Sequence, residues 1–261
     1  MCTMGPRADE TDARRRTGYA SAVEMRWRVR LAGAAPDLAH LRRELATGDV
    51  LAREDDEGTY LQAASLESFD DVFEVIEASQ TLIEQLKGIT SLTGSQPVGF
   101  SGRVDRDEST WVFGYDAGLA VEVSLIVDGV VTGADGAVKS SSGPSVTTRR
   151  LQAAQASPVL AEVYRILALR SSPSWTELYK VYEVLREASG GKDRDLAAHT
   201  GVSEGRIGGL KANANHQLLS GDESRHATMK GTPSAEYKIT TEEGKAIVKE
   251  LIDGFAESCG V

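Results

Sequence analysis

A stretch of strict alternation near the beginning of the chain restricts the fold more than any other feature. Apolar side chains stand at every second position from residue 23 to residue 31, and all four positions between them are charged. Successive side chains of a β-strand point to opposite faces, so this period of two predicts a strand with one buried face. The apolar set is Val23, Met25, Trp27, Val29 and Leu31.

The residues that follow predict a sheet covered by two helices. We expect a helix capped by Asp37 that ends near Gly48, and a longer amphipathic helix that runs up to Gly88. Between them, turn residues at 55–58 separate two apolar stretches, which predicts a hairpin. Further strands are expected at 98–104, 111–115 and 119–127.

This order of elements predicts the fold class and the domain boundaries. Strand, helix, two strands, helix and strand is the order of an α+β ferredoxin-like βαββαβ sandwich, here with an added hairpin, over residues 21–132. Residues 1–20 are expected to form a mobile tail, and the small, polar stretch 133–150 an inter-domain linker. Residues 151–261 predict a helical bundle, because Ser157 with Pro158, residues 172–175 and Thr240 are helix-start signals.

Charge and cysteine usage limit the compartments and partners. The chain carries 29 Lys and Arg against 39 Asp and Glu, a formal net charge of −10, which repels nucleic acids and anionic membranes unless a local basic patch exists. Cys2 and Cys259 form neither a disulfide framework nor a zinc motif. No apolar run reaches the roughly 20 residues that span a bilayer, and no signal peptide follows the basic run 14–16. We therefore expect a cytoplasmic protein without metal or cofactor.

The segment 210–227 is the densest in groups that could perform chemistry. Arg225 could hold a phosphate while His226 moves a proton, and Glu183 on a neighbouring helix could orient that histidine. This combination predicts a metal-independent ribonuclease. The alternative is that these residues cap helices and pair within a loop. Substrate-binding positions under the first interpretation are Asn213, Asn215 and His216.

Residues 195–210 could form a helix-turn-helix. Ala197, the turn residue Gly201 and the apolar Ile207 have the spacing that lets two short helices cross. Arg206 and Lys211 would then contact DNA. The second helix is weakened by three glycines, at about 1 kcal/mol each relative to alanine, so the alternative is a bend between structural helices.

Arginine side chains line the polar face of the first strand and could form a basic binding surface. Arg26, Arg28 and Arg30 share this face, but the acidic residues 54–57 lie close in sequence. A solvated, charge-balanced face is therefore the expected arrangement. His40 and His199 stand alone and are assigned no role, and no histidine pair has the helical spacing of a metal site.

The C-terminal half resembles a large group of uncharacterised bacterial proteins. The similarity rests on residues 178–183, on Asn215 followed by residues 221–222 and 225–226, and on a closing helix after residues 240–244. This arrangement is similar to the helical HEPN superfamily. The resemblance implies an RNA-cleaving toxin, a phage-defence effector or an inactive structural relative.

In one respect the chain departs from the active HEPN pattern, in which an arginine precedes a histidine by four to six intervening residues. Arg225 and His226 are adjacent. The resemblance thus implies a noncatalytic interaction or sensor protein, accessory to stress or phage defence, that forms homo-oligomers or contacts a protein or RNA. The ribonuclease and the DNA-binding regulator remain the alternatives.

Overall fold

The computed structural model describes residues 25–92, 98–107, 109–113, 144–221, 224 and 237–260. Within them the chain forms one antiparallel sheet and a mainly helical C-terminal part. The predicted α+β class is confirmed at this level. The five strands are β1 (Trp27–Ala32), β2 (Val50–Asp55), β3 (Gly58–Ala63), β4 (Gly99–Arg106) and β5 (Ser109–Val112).

The sheet has the strand order β2-β3-β1-β4-β5, and every neighbouring pair is antiparallel. The predicted hairpin is confirmed, because β2 and β3 pair from Val50 opposite Ala63 to Asp55 opposite Gly58. The alternation predicted for β1 also holds on its apolar face, since Trp27, Val29 and Leu31 are buried. The predicted strand at 119–127 lies outside the described residues.

Helix α1 (Ala35–Glu44) starts earlier than the sequence indicated. Asp37 was expected to cap the helix, but Ala34 occupies that position and Asp37 lies in the first turn. Pro36 explains the difference, because its fixed φ angle and missing N–H suit the first turn of a helix. The leucines of this helix still face inward, with Leu41 and the residue after the helix, Leu45, buried.

Helix α2 (Val72–Ser91) is capped by Asp71, whose side chain accepts a hydrogen bond from the backbone N–H of Phe73. The prediction that the helix ends near Gly88 is wrong, since the helix continues for three residues. Gly88 instead lies where α2 crosses the later helix α4 (Pro158–Leu167). A Cβ atom at Gly88 would lie 2.0 Å from the backbone oxygen of Tyr164. The glycine therefore permits two helix backbones to touch.

Helix α3 (Val146–Ala156) occupies the end of the stretch that was expected to be a linker; residues 133–143 lie outside the described residues. Ser145 caps α3, and its hydroxyl also donates to the backbone oxygen of Glu44 at the end of α1. Thr148 donates to the same oxygen. These bonds fix the start of the helical part against the sheet part.

Three of the later helices begin at the start signals that the sequence predicted. Ser157 caps α4, and Ser174 and Thr240 each form a capping box. Buried apolar residues then make one continuous core from Trp27 to Phe255. No helix of the described chain is both long and apolar enough to cross a membrane. The other helices are α5 (Trp175–Ala188), α6 (Asp193–Thr200), α7 (Glu204–Asn215), the short α8 (Gln217–Ser220) and α9 (Thr241–Ser258).

Candidate functional site

A group of interacting polar side chains in the helical part lies where α5, α6 and α7 meet. Tyr182 and Arg186 come from α5, one turn apart, Asp193 comes from the start of α6 and Lys211 from α7. We refer to these four residues as the tyrosine cluster. Tyr179, one turn before Tyr182, packs against it with 5.3 Å between ring centroids.

All members of the tyrosine cluster meet at the phenol of Tyr182. Its hydroxyl donates to Asp193 Oδ1 at 2.5 Å and accepts from Arg186 Nη1 at 3.2 Å. Lys211 Nζ donates to the other carboxylate oxygen, Asp193 Oδ2, at 2.5 Å. Arg186 and Lys211 also lie 5.4 and 5.7 Å from the centroid of the Tyr182 ring, within cation–π range. The cluster thus joins three helices through one phenol and one carboxylate.

Burial and pairing set the ionisation of this cluster. Burial raises the pKa of Tyr182, and its hydrogen bond to Asp193 raises that pKa further. Burial alone would raise the pKa of Asp193, but hydrogen bonds from Lys211 and Tyr182 outweigh this effect and lower the pKa below its usual value. The phenol is therefore neutral and the carboxylate charged at pH 7. Because Tyr182 is 0% exposed, its hydroxyl cannot reach a substrate, and the cluster acts as a structural clamp.

We expect Tyr182→Phe to lower the free energy of unfolding by about 1.5–3 kcal/mol, because a hydrogen bond to a charged partner is lost inside the protein. Tyr164→Phe is the matched control. The Tyr164 hydroxyl is also buried but has no hydrogen-bond partner among the described residues. Urea denaturation of both variants measures the difference. Equal losses would show that the Tyr182 hydroxyl contributes no more than an unpartnered one.

The predicted binding asparagines hold backbone in place. Asn213 is 0% exposed; its amide donates to the backbone oxygens of Gly209, at 2.8 Å, and of Tyr237, and it accepts from the N–H of Ile239 at 3.3 Å. It therefore fastens the segment before α9 to α7. The Asn215 amide donates to the backbone oxygen of Lys211 at 2.9 Å.

The structure describes only some of the other residues predicted for the ribonuclease site. His216 is buried between α7 and α8, and its backbone oxygen accepts from Leu219 at 2.9 Å. Glu183 is half-buried on α5, directly after Tyr182. Arg225 and His226, the predicted catalytic pair, lie outside the described residues. The arrangement of the complete set therefore stays a prediction.

The two cations predicted to contact DNA are both paired within the chain. Helices α6 and α7 are joined through a left-handed Gly201 with φ of 74°, as the turn signal indicated. Arg206 binds Glu250 of α9 through both of its terminal nitrogens, with Nη2 to Oε1 at 2.9 Å. Lys211 is held by Asp193 in the tyrosine cluster. DNA binding by these residues stays a prediction, and it would require both ion pairs to open.

The sequence also contains an arginine–histidine pair with four intervening residues. Arg194 and His199 both lie on α6. Five residues correspond to about 500° of helical rotation, which leaves the two side chains about 140° apart around the axis. Their contacts differ accordingly, since Arg194 lies 3.4 Å from Asp195 and His199 stacks on Phe255 with ring centroids 5.7 Å apart. The pair does not converge on one site.

A second polar network lies on the sheet. Arg30 is 5% exposed, and its guanidinium donates to Asp105 Oδ2 at 2.7 Å, to Asp55 Oδ1 at 2.5 Å and to Glu57 Oε2 at 3.0 Å. Arg103 also binds Asp105 and Glu57, at 2.8 and 2.6 Å. We call these five residues the Arg30 network. It links the β2–β3 turn to β1 and β4.

The expected charge balance of this face is confirmed, but the expectation that the face is solvated is wrong at Arg30. Arg28 lies 3.7 Å from Asp55, and Arg26 lies 3.8 Å from Glu67. Hydrogen bonds from Arg30 lower the pKa of Asp55, and those from Arg103 and Arg30 lower the pKa of Asp105 against the opposing effect of burial. A basic surface free to bind a ligand is therefore not formed by these arginines.

No group of three or more His, Cys, Asp or Glu side chains among the described residues is arranged to hold a metal ion. Comparisons with protein-family models, with curated proteins and with solved structures found no match to this chain.

Proposed function

We propose that the protein is a noncatalytic interaction or sensor protein. The observation that carries the proposal is that the candidate groups in the described chain are already used by the fold. The Asn213 amide binds backbone, Lys211 and Arg206 bind carboxylates, and the Tyr182 phenol is fully buried. A catalytic group must reach its substrate, whereas these groups hold helices and segments together.

We infer further that the sheet part is ferredoxin-like and the helical part HEPN-like. The first inference is supported by the order β2-β3-β1-β4 of four antiparallel strands, with helices after β1 and β3. The second rests on the sequence resemblance and on the helical character of residues 146–258. Homo-oligomers, protein or RNA contact and a role as an accessory in phage defence are parts of the same proposal.

The proposal is tested with a mixed RNA pool incubated with the purified protein in EDTA. We expect RNA lengths to remain unchanged, because no metal-independent catalytic site operates. His226→Ala and His199→Ala are purified in parallel and matched to the wild type by circular dichroism. Any cleavage that a contaminating nuclease causes would persist in both variants.

Cleavage by the wild type that disappears in His226→Ala would overturn the proposal and establish the ribonuclease with Arg225 and His226 at its centre. Cleavage that disappears only in His199→Ala would overturn it as well, and would point to α6. Retention of full-length RNA by the protein in a filter-binding measurement, without cleavage, would support an RNA-contacting interaction protein.

A further inference from the structure

An apolar surface is exposed where α2 begins beside β5. Phe73, in the first turn of α2, is 68% exposed, and Val112 on β5 is 76% exposed. Phe73 meets Phe113 edge to face, with ring centroids 5.8 Å apart. Large apolar side chains that are exposed together mark interaction surfaces more often than isolated ones do. We call Phe73, Val112 and Phe113 the Phe73 patch.

Carboxylates border the Phe73 patch along α2. Asp70 has a side chain that is 99% exposed, and Glu74 and Glu77 are exposed on the following turns. Arg106 lies 3.6 Å from Asp70 and also lies over the ring of Trp27. The surface thus combines apolar area with an excess of negative charge. Its complement is a basic segment that carries an aromatic residue.

The chain itself reaches this surface from its N-terminal side. The Trp27 indole donates to the backbone oxygen of Phe69 at 3.1 Å, and the N–H of Arg26 donates to Glu67 at 2.7 Å. The first described residues therefore lie beside Glu67 and Phe69, which directly precede Asp70 and α2 in the chain. The basic run 14–16 lies nine residues earlier, within about 30 Å of extended chain, and Tyr19 lies between.

We propose that the basic run 14–16 of the same chain binds Asp70, Glu74 and Glu77, with Tyr19 on the Phe73 patch. Charge distinguishes this occupant from the other undescribed segment that adjoins the patch. Residues 114–143 carry four carboxylates and one lysine, so they repel the acidic border. In this contact a segment of the same chain occupies the acidic border and the Phe73 patch. Salt weakens it, because exposed ion pairs are screened.

The test measures the distance between the run and α2 in the full-length chain. Cys2→Ser and Cys259→Ser remove the native thiols, and Thr17→Cys and Thr81→Cys carry two spin labels for pulsed dipolar spectroscopy. We expect one short, narrow distance population, which broadens and lengthens when Arg14, Arg15 and Arg16 are all replaced by Gln. Replacement of three exposed carboxylates elsewhere, Glu187→Gln, Glu204→Gln and Glu257→Gln, should leave the population unchanged.

A charge swap separates a specific contact from general attraction. Arg14→Glu, Arg15→Glu and Arg16→Glu should abolish the short population, and so should Asp70→Lys, Glu74→Lys and Glu77→Lys. The combination of both sets should restore it. Circular dichroism confirms that each variant is folded before its distances are compared.

Three outcomes would overturn the proposal. One is the absence of a short distance between the two labels when the run 14–16 is unmutated. Another is a failure of the charge swap to restore that short distance. The third is a short population that disappears when labelled protein is diluted tenfold with unlabelled protein, because the occupant would then be the run of a second copy. A short population that survives dilution supports a contact within one chain.

Discussion

Gly88→Ala is expected to lower the free energy of unfolding by about 3 kcal/mol, the upper part of the range for overpacked sites. The added Cβ would lie 2.0 Å from the backbone oxygen and 2.7 Å from the carbonyl carbon of Tyr164. A neighbouring side chain could rotate away from the added Cβ atom, but the backbone of α4 cannot. Helices α2 and α4 must therefore separate, and the buried contacts on both sides of the crossing loosen. Urea denaturation followed by far-ultraviolet circular dichroism measures the loss.

Gly205→Ala is the matched control for this substitution. Gly205 also lies in a helix, and a Cβ atom there would meet nothing within 4 Å. Alanine favours the helix by about 1 kcal/mol over glycine, so this variant should be more stable than the wild type. Opposite signs for the two variants are the expected result. A Gly88→Ala variant as stable as the wild type would show that the crossing is wider than described.

Gly88 also shows how far the sequence determines the fold. Apolar spacing and caps located the hairpin of β2 and β3 and the starts of α4, α5 and α9, because these signals depend on residues close together in the chain. A glycine after an apolar stripe has two physical meanings, a helix end or a close backbone contact. The choice depends on Tyr164, which lies 76 positions later and cannot be inferred from local spacing.

The candidate site was harder to predict for the same reason. Polar residues at 213–216 were interpreted as binding groups, yet Asn213 is satisfied by the backbone of residues 237 and 239, far along the chain. The tyrosine cluster gave only a weak signal, in which Tyr182 and Arg186 stand one helical turn apart. The cluster forms only with Asp193 and Lys211, which tertiary packing brings to the phenol.

Arg30→Ala is expected to lower the free energy of unfolding at pH 7 by about 3 kcal/mol, because it removes a bound cation from the buried Asp105 and the half-buried Asp55. Asp105 is 5% exposed and would retain Arg103 and Thr110, which keeps the loss near the lower end of the range for broken buried pairs. Arg206→Ala is the control. Its pair with Glu250 is half exposed on both sides, and exposed pairs contribute about 0–1 kcal/mol.

The pH dependence of the same variant separates lost charge pairing from lost packing. In the wild type, the pKa values of Asp55 and Asp105 are lowered, so their stabilisation is present above the unfolded value of about 4 and is lost as pH falls through the folded values. Without Arg30, burial raises these carboxyl pKa values relative to the wild type, and protonation then relieves the unpaired charge. The deficit of Arg30→Ala should therefore be largest at pH 7 and smaller at about pH 4. A deficit of equal size at both pH values would mean that Arg30 stabilises the sheet by packing its side chain rather than by its charge.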